Sequence, residues 1–107
     1  MRYLALSILL VCLYGCDESP DGVDPEQACI DAGHELALAG EQCGEWSYAE
    51  GQAEWQRMVG GDCSKATSVR DADELYEQCI PWLQDPFCPL IQMGTLDSSC
   101  KNQIGVK

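Results

Sequence analysis

The sequence predicts an all-α fold: a small disulfide-stapled domain of about three short helices with an irregular C-terminal segment. Apolar residues recur at helical spacing in three stretches, whereas the alternating pattern typical of strands is absent. Six cysteines follow residue 16, an even set that predicts three disulfides in a domain too small for a large core. These candidates are Cys29, Cys43, Cys63, Cys79, Cys88 and Cys100, and their spacing leaves the pairing open.

The first predicted helix begins at Asp24-Pro25, where the aspartate suits the N-cap and the proline suits the first helical position. Cys29 and Cys43 lie on one face of it, about 21 Å apart along a continuous helix, so each is expected to bond another element. Gly33 and Gly40 share that face and are expected to let a neighbouring backbone come close. Leu38 falls on the opposite, polar face, and the pattern predicts no packing role for it.

A second predicted helix follows Gly44, which ends the first. Ser47-x-x-Glu50 is a capping-box signature, and Gly60-Gly61 stops the helix. Tyr48 and Trp55 occupy its apolar stripe and are predicted to be core residues. Trp46, just before the capping box, is predicted to be a hydrophobic staple or a surface anchor.

A third predicted helix opens with Ser68-x-x-Asp71, after a loop from Asp62 to Thr67 that carries Cys63. Val69 is expected on its apolar face. Pro81 is expected to end or kink this helix, since proline lacks a backbone N–H.

The predicted C-terminal segment is irregular. Residues 81–93 contain three prolines and many large apolar side chains, so this stretch is expected to lie across the helices. Asp97 or Ser98 is expected to cap a last short turn that holds Cys100 and Ile104.

The N-terminal segment has the pattern of a secretory signal. Arg2 precedes an apolar run from Tyr3 to Leu13, which is too short to span a bilayer, since that takes about 20 residues. The run ends in Leu13-Tyr14-Gly15-Cys16, which resembles the lipobox of bacterial lipoproteins. The resemblance implies cleavage before Cys16, a thioether-linked diacylglycerol on that cysteine and usually an N-acyl chain. The alternatives are a signal cut elsewhere or an ordinary buried helix.

Cleavage before Cys16 would divide the chain into a signal peptide (residues 1–15), a flexible acidic tether (residues 16–23) and a disulfide-rich helical domain (residues 24–107). The tether is broken by Pro20 and Gly22. It also matches the first half of a calcium-binding loop, but the twelfth position is Ala28 in place of the bidentate glutamate. A solvated tether is therefore favoured over a metal site.

The charge of the chain is strongly acidic, with a formal net charge of −12. Removal of Arg2 with the signal leaves five Lys and Arg against eighteen Asp and Glu, a net charge of −13. Such a chain repels nucleic acid and anionic lipid, so any charged partner is expected to be basic or a cation.

Candidate catalytic and metal-binding residues are few. His34 is the only histidine, and it lies on a polar helix face without a second ligand at helical spacing. The sequence contains no C-x-x-C pair and no G-x-S-x-G motif. No catalytic residue, metal or cofactor is therefore predicted, and an enzyme is the least favoured interpretation.

The favoured function is a membrane-anchored exported lipoprotein of the bacterial cell envelope, on the inner or outer membrane, with a small non-enzymatic interaction or structural domain. Its partners would be the membrane, through the lipid on Cys16, and a basic protein. The alternative is an inhibitor or immunity-type protein that masks a basic enzyme or toxin, since acidic charge steers association with a cationic partner.

Overall fold

The computed structural model describes residues 23–106. The predicted signal peptide, Cys16 and the tether up to residue 22 lie outside this range. Within it, the chain forms α1 (Pro25–Gln42), α2 (Tyr48–Val59), a 3₁₀ turn (Cys63–Lys65), β1 (Ala66–Val69), α3 (Ala72–Glu74), a π-helical turn (Leu75–Cys79), α4 (Ile80–Gln84), α5 (Cys88–Gln92), a second 3₁₀ turn (Ser98–Cys100) and β2 (Ile104–Val106).

α1 is the central helix, and its caps are those predicted. The Asp24 carboxylate accepts a hydrogen bond from the Gln27 backbone N–H at 2.9 Å, and Pro25 occupies the first turn. Gly44 follows the helix with a φ of +73°, in the left-handed region that glycine tolerates best. The buried face of α1 consists almost entirely of small residues, with Leu36 as its one large side chain. A helix face of this kind lets its neighbours approach closely.

α2 packs against α1 and begins with the predicted capping box. The Glu50 N–H donates to Ser47 Oγ at 3.2 Å, and the Ser47 N–H donates to Glu50 Oε1 at 2.8 Å. The helix ends at Gly60, whose φ of 90° is left-handed. Two backbone N–H groups that lack a partner within the helix are thereby satisfied locally, as the sequence predicts.

The glycines of α1 do permit a close approach, but by indole rings in place of the expected backbone. A Cβ at Gly33 would overlap the ring of Trp55, and a Cβ at Gly40 would overlap that of Trp46. Gly51 of α2 lies against the same Trp46 ring, and there the backbone does come close: an added Cβ would lie 2.7 Å from the Cα of Ala37. The two helices therefore pack through small residues and two large rings.

A two-stranded antiparallel sheet joins residues that the sequence places elsewhere. Val69 pairs with Ile104, and the Arg70 N–H donates to the Gln103 carbonyl at 2.8 Å. Val69 is therefore in β1, not on a third helix, and Ile104 is in β2, not in the last turn. The expected loop ending at Thr67 also includes the start of β1. Strands of three and four residues are too short to show an alternating pattern, so their formation depends on pairing between distant parts of the chain.

The third helical region starts later than predicted and passes through Pro81. Asp71, not Ser68, is its N-cap, because its carboxylate accepts a hydrogen bond from the Glu74 N–H at 3.0 Å. The Ile80 N–H then donates to the Leu75 carbonyl, which is the wider spacing of a π turn. This turn lies directly before Pro81, whose ring would clash with a regular helical carbonyl four residues earlier. The helix is locally widened and continues to Gln84.

The C-terminal segment covers the core, as predicted, and consists of short helices and turns joined by irregular stretches. α5 is short, and Gly94 follows it with a φ of 76°. Asp97 caps the second 3₁₀ turn by accepting a hydrogen bond from the Ser99 N–H at 3.1 Å. Ile91 and Leu96 from this segment are buried in the same core as Leu36 of α1.

Three disulfides connect these elements. Cys29 bonds Cys63, Cys43 bonds Cys88, and Cys79 bonds Cys100. As expected, Cys29 of α1 and Cys43, at the C-cap of α1, bond different elements: the first 3₁₀ turn and α5, respectively. The predicted fold class is confirmed, since the described chain is a small, mostly helical domain cross-linked by three disulfides. Between residues 23 and 106, no helix has both the length and the hydropathy needed to cross a membrane.

We expect Gly40→Ala to destabilise the protein by about 1–3 kcal/mol, because the new methyl group would overlap the Trp46 ring. This cost should exceed the gain of about 1 kcal/mol in helix propensity that alanine brings. Urea unfolding followed by circular dichroism measures the difference. In a Trp46→Ala background the same substitution should be neutral or stabilising, and an equal cost in both backgrounds would contradict the packing described.

Candidate functional site

A cleft lies along the outer side of α1, beside the start of α2. Its volume is about 400 Å³, within the range of roughly 300–1,000 Å³ that is typical of ligand pockets. α1 forms one wall, α2 forms another, and the π-helical turn and α4 close a third side. We call this site the α1–α2 cleft, and its lining residues are Ile30, Asp31, His34, Glu35, Tyr48, Gln52, Tyr76 and Ile80.

Asp31 is held in place from both sides. Its Oδ1 accepts a hydrogen bond from Gln27 Nε2 at 2.9 Å, and its Oδ2 accepts one from the Tyr76 hydroxyl at 2.6 Å. Burial raises the pKa of Tyr76 well above its usual value, and the hydrogen bond to Asp31 and the negative charge of that carboxylate raise it further. The phenol therefore remains a neutral donor to the carboxylate throughout the physiological pH range.

His34 and Tyr48 form a second fixed pair across the cleft. His34 Nδ1 lies 2.7 Å from the Tyr48 hydroxyl, and the two rings meet edge to face with centroids 5.6 Å apart. Gln52 Nε2 donates to the same hydroxyl at 3.2 Å. The Tyr48 hydroxyl therefore has two side-chain hydrogen-bond partners, one on α1 and one on α2.

Glu35 is the carboxylate that retains binding capacity. Its Oε2 accepts one long hydrogen bond, 3.4 Å from Gln84 Nε2. Its other oxygen receives no hydrogen bond from residues 23–106. Glu35 is one turn of α1 beyond Asp31, so the two carboxylates line the same wall.

Large apolar side chains are exposed beside the cleft. Ile30 is 46% exposed, Leu38 is 39% exposed and Tyr48 is 36% exposed. Ile30, His34 and Leu38 are spaced four residues apart and form one row on the outer face of α1. Leu38, for which the sequence pattern predicts no packing role, is part of this row. The row provides apolar surface next to a polar, acidic cleft.

The structure brings together residues that the sequence treats separately. His34 is exposed, as predicted, but it has a partner in Tyr48, which sequence reasoning assigned to the core. Trp55 is a core residue, as predicted, and is only 4% exposed. Trp46 is neither a surface anchor nor fully buried: its ring packs on Gly40, and its Nε1 is buried without a hydrogen-bond partner in the described part of the chain. No local signal links positions 34 and 48, because the contact depends on how α2 folds back on α1.

A second cavity of about 360 Å³ lies between α2 and the C-terminal segment. Gln103 is the buried polar residue of this cavity, and both its side-chain oxygen and its side-chain nitrogen form hydrogen bonds. Its Oε1 accepts from the Asp71 N–H at 3.0 Å, while its Nε2 donates to Glu74 and to the Ser99 carbonyl, both at 2.9 Å. This residue therefore connects the sheet to α3, and the cavity offers a ligand no free buried polar group.

The α1–α2 cleft contains chemistry suited to binding a cation. Its residues supply two carboxylates, a hydrogen-bonded His–Tyr pair and apolar flanks, and none of them is Ser, Thr or Cys. Among residues 23–106, no group of three or more His, Cys, Asp and Glu side chains is placed to hold a metal ion. The acidic motif Asp17-x-Ser19-x-Asp21 lies outside the described residues.

Comparison with known proteins returns no relative: no protein-family model, no curated protein and no solved structure matches this chain.

We expect Tyr76 to ionise at a markedly higher pH than an ordinary tyrosine, whose pKa is about 10. Folding favours the neutral Tyr76 phenol, so its stabilising contribution is present below the usual tyrosine pKa of about 10 and is lost as the pH rises above it. An alkaline titration followed by tyrosinate absorbance should show a late phase that Tyr76→Phe removes and Tyr48→Phe retains. A late phase that persists in Tyr76→Phe would contradict the hydrogen bond to Asp31.

Proposed function

We propose that this chain is an exported lipoprotein that is anchored by a lipid on Cys16 and binds a protein partner through its helical domain. The α1–α2 cleft is the observation that carries the proposed binding of a partner. It is open to solvent, bordered by exposed Ile30 and Tyr48, and built from side chains that are already held by hydrogen bonds. Exposed apolar groups beside fixed polar ones are typical of interaction sites.

The proposed anchor rests on the lipobox resemblance of Leu13-Tyr14-Gly15-Cys16. Residues 16–23 would span at most about 28 Å when fully extended. Ile30 is five residues beyond Pro25, about 8 Å along α1, so the cleft begins near the tethered end of the domain. A partner would therefore meet the cleft close to the membrane surface.

The three disulfides support an exported location. Disulfides persist in oxidising compartments such as the periplasm and the cell surface and are rare in the cytosol. Because the domain is small, its cross-links supply stability that a large core would otherwise provide.

The second candidate function is an inhibitor or immunity-type protein for a basic enzyme or toxin. The excess of acidic charge favours it. Two of the basic side chains in the described domain are also neutralised locally, since Arg57 pairs with Glu54 and Arg70 pairs with Glu74. The electrostatic field of the remaining acidic side chains is strongly negative and would steer a cationic partner to the surface.

Cys16→Ala should abolish lipid attachment and leave the precursor uncleaved, because the thiol that receives the lipid is absent. The measurement is the intact mass of the protein expressed in a bacterium, together with its partition between membrane and soluble fractions. Cys12→Ala is the matched control, since it also removes a cysteine from the N-terminal segment but should be processed normally. Normal processing and membrane partition of Cys16→Ala would overturn the proposed anchor.

A pull-down with the processed protein should recover a basic protein at low salt and release it at high salt, since screening weakens the attraction. If the recovered protein is an enzyme or toxin whose activity falls when the chain is added, the inhibitor function is supported. Unchanged activity in the complex argues for an interaction partner without inhibition. Recovery of no basic protein at low salt contradicts a cationic partner.

A further inference from the structure

We propose that the α1–α2 cleft is a receptor for an arginine side chain presented by a protein partner. This inference rests on the proposed binding function and specifies the chemistry of the partner. It does not depend on the lipid anchor, because the cleft lies entirely within residues 30–80.

The sign of the ligand's charge follows from the lining of the cleft. Asp31 and Glu35 are carboxylates, and none of the lining residues is Lys or Arg. The whole chain adds a net charge of −12. An anion would be repelled by both the local and the overall field, whereas a cation would be attracted.

Glu35 provides the geometry that a guanidinium requires. A guanidinium pairs with a carboxylate through two parallel N–H···O bonds, so it needs both oxygens of one carboxylate. In Asp31, each oxygen already accepts one hydrogen bond, from Gln27 and from Tyr76, so less of its acceptor capacity remains for a guanidinium. In Glu35, one oxygen is without a partner in the described chain, and the other accepts only the 3.4 Å bond from Gln84. Glu35 is therefore the docking carboxylate, and Asp31 contributes its fixed charge.

The aromatic side chains favour arginine over lysine. The planar guanidinium stacks on aromatic faces and is weakly hydrated, whereas the lysine ammonium is a compact and strongly hydrated charge. His34 and Tyr48 present a pair of rings whose edge-to-face arrangement is held by a 2.7 Å hydrogen bond. Ile30 and Ile80 line the same cleft and can pack against the aliphatic part of an arginine side chain.

The exposed row on α1 favours an arginine that belongs to a protein over a free cation. Ile30 is 46% exposed, and Leu38, two turns further along the helix, is 39% exposed. A free cation would fill the cleft and leave this row uncovered. Residues next to an arginine in a partner's segment would cover the row and add apolar contact area.

The test is isothermal titration of the processed full-length protein in detergent with a short peptide that has one arginine flanked by leucines. The same peptide with lysine or with citrulline in place of arginine is titrated in parallel. We expect arginine to bind at least about tenfold more tightly than lysine, and citrulline to bind least, since it lacks the charge and the bidentate donors. Equal binding of the arginine and citrulline peptides would overturn the proposal.

Glu35→Gln, which preserves shape and removes the charge, should weaken binding of the arginine peptide by about tenfold or more. Glu41→Gln is the matched control, because it removes the same charge from a residue that is outside the cleft. Glu41 is exposed on the last turn of α1. Equal weakening by both substitutions would show that the peptide is attracted by the net charge of the protein alone. That result would overturn the assignment of the cleft as the binding site. If free arginine amide binds as tightly as the peptide, the proposal that the arginine belongs to a protein partner is overturned.

The two proposals fail in distinguishable ways. If Cys16→Ala is processed normally while the arginine peptide binds and Glu35→Gln weakens it, the anchor is wrong and the cleft assignment is supported. If the lipid is present but the arginine peptide shows no preference over citrulline, the anchor is supported and the cleft assignment is overturned.

Discussion

Two tryptophan rings packed into the small-residue face of α1 are the contact on which the rest of the domain depends. That face offers mainly alanine and glycine, so α1 by itself contributes little apolar area. Trp55 lies against Gly33 and Trp46 lies against Gly40, in positions where even one added methyl group would overlap the ring. Aromatic side chains bury about 150–250 Å² each, so the rings supply the area that α1 lacks. The Trp55 Nε1 also donates to Cys29 Sγ at 3.4 Å, which joins this packing to a disulfide.

The disulfides extend that constraint to the whole domain. They close segments with sequence separations of 34, 45 and 21 residues. Each bond typically contributes about 2–4 kcal/mol, a large share of the roughly 5–15 kcal/mol net stability of a small protein. Because Cys29 in α1 and Cys43 at its C-cap are both bonded, this helix is held towards both ends while its outer face remains free. The cleft on that face is therefore pre-organised, and binding there has a smaller entropic cost.

The features that the sequence predicts correctly are those decided over a few residues. Asp24 and the Ser47–Glu50 pair cap their helices through bonds to positions three residues away. Gly60 ends α2 because its left-handed conformation is costly for other residues. The buried stripe of α1 follows from helical periodicity, and so does the conclusion that its two cysteines bond different elements. For the cleft, local reasoning placed His34 on an exposed polar face but could not supply its partner.

Tertiary structure decided the features that join distant positions. β1 and β2 lie more than 30 residues apart and are too short to carry a pattern, so only their pairing defines them. The π turn before Pro81 avoids the clash between the proline ring and the helix backbone. Whether the helix ends at Pro81 or continues through it depends on the packing around it. The sequence by itself determined the first two helices, their caps and the number of cysteines available for cross-links. The disulfide pairing and the meeting of His34 with Tyr48 required the folded chain, because each depends on how elements pack and not on neighbouring residues.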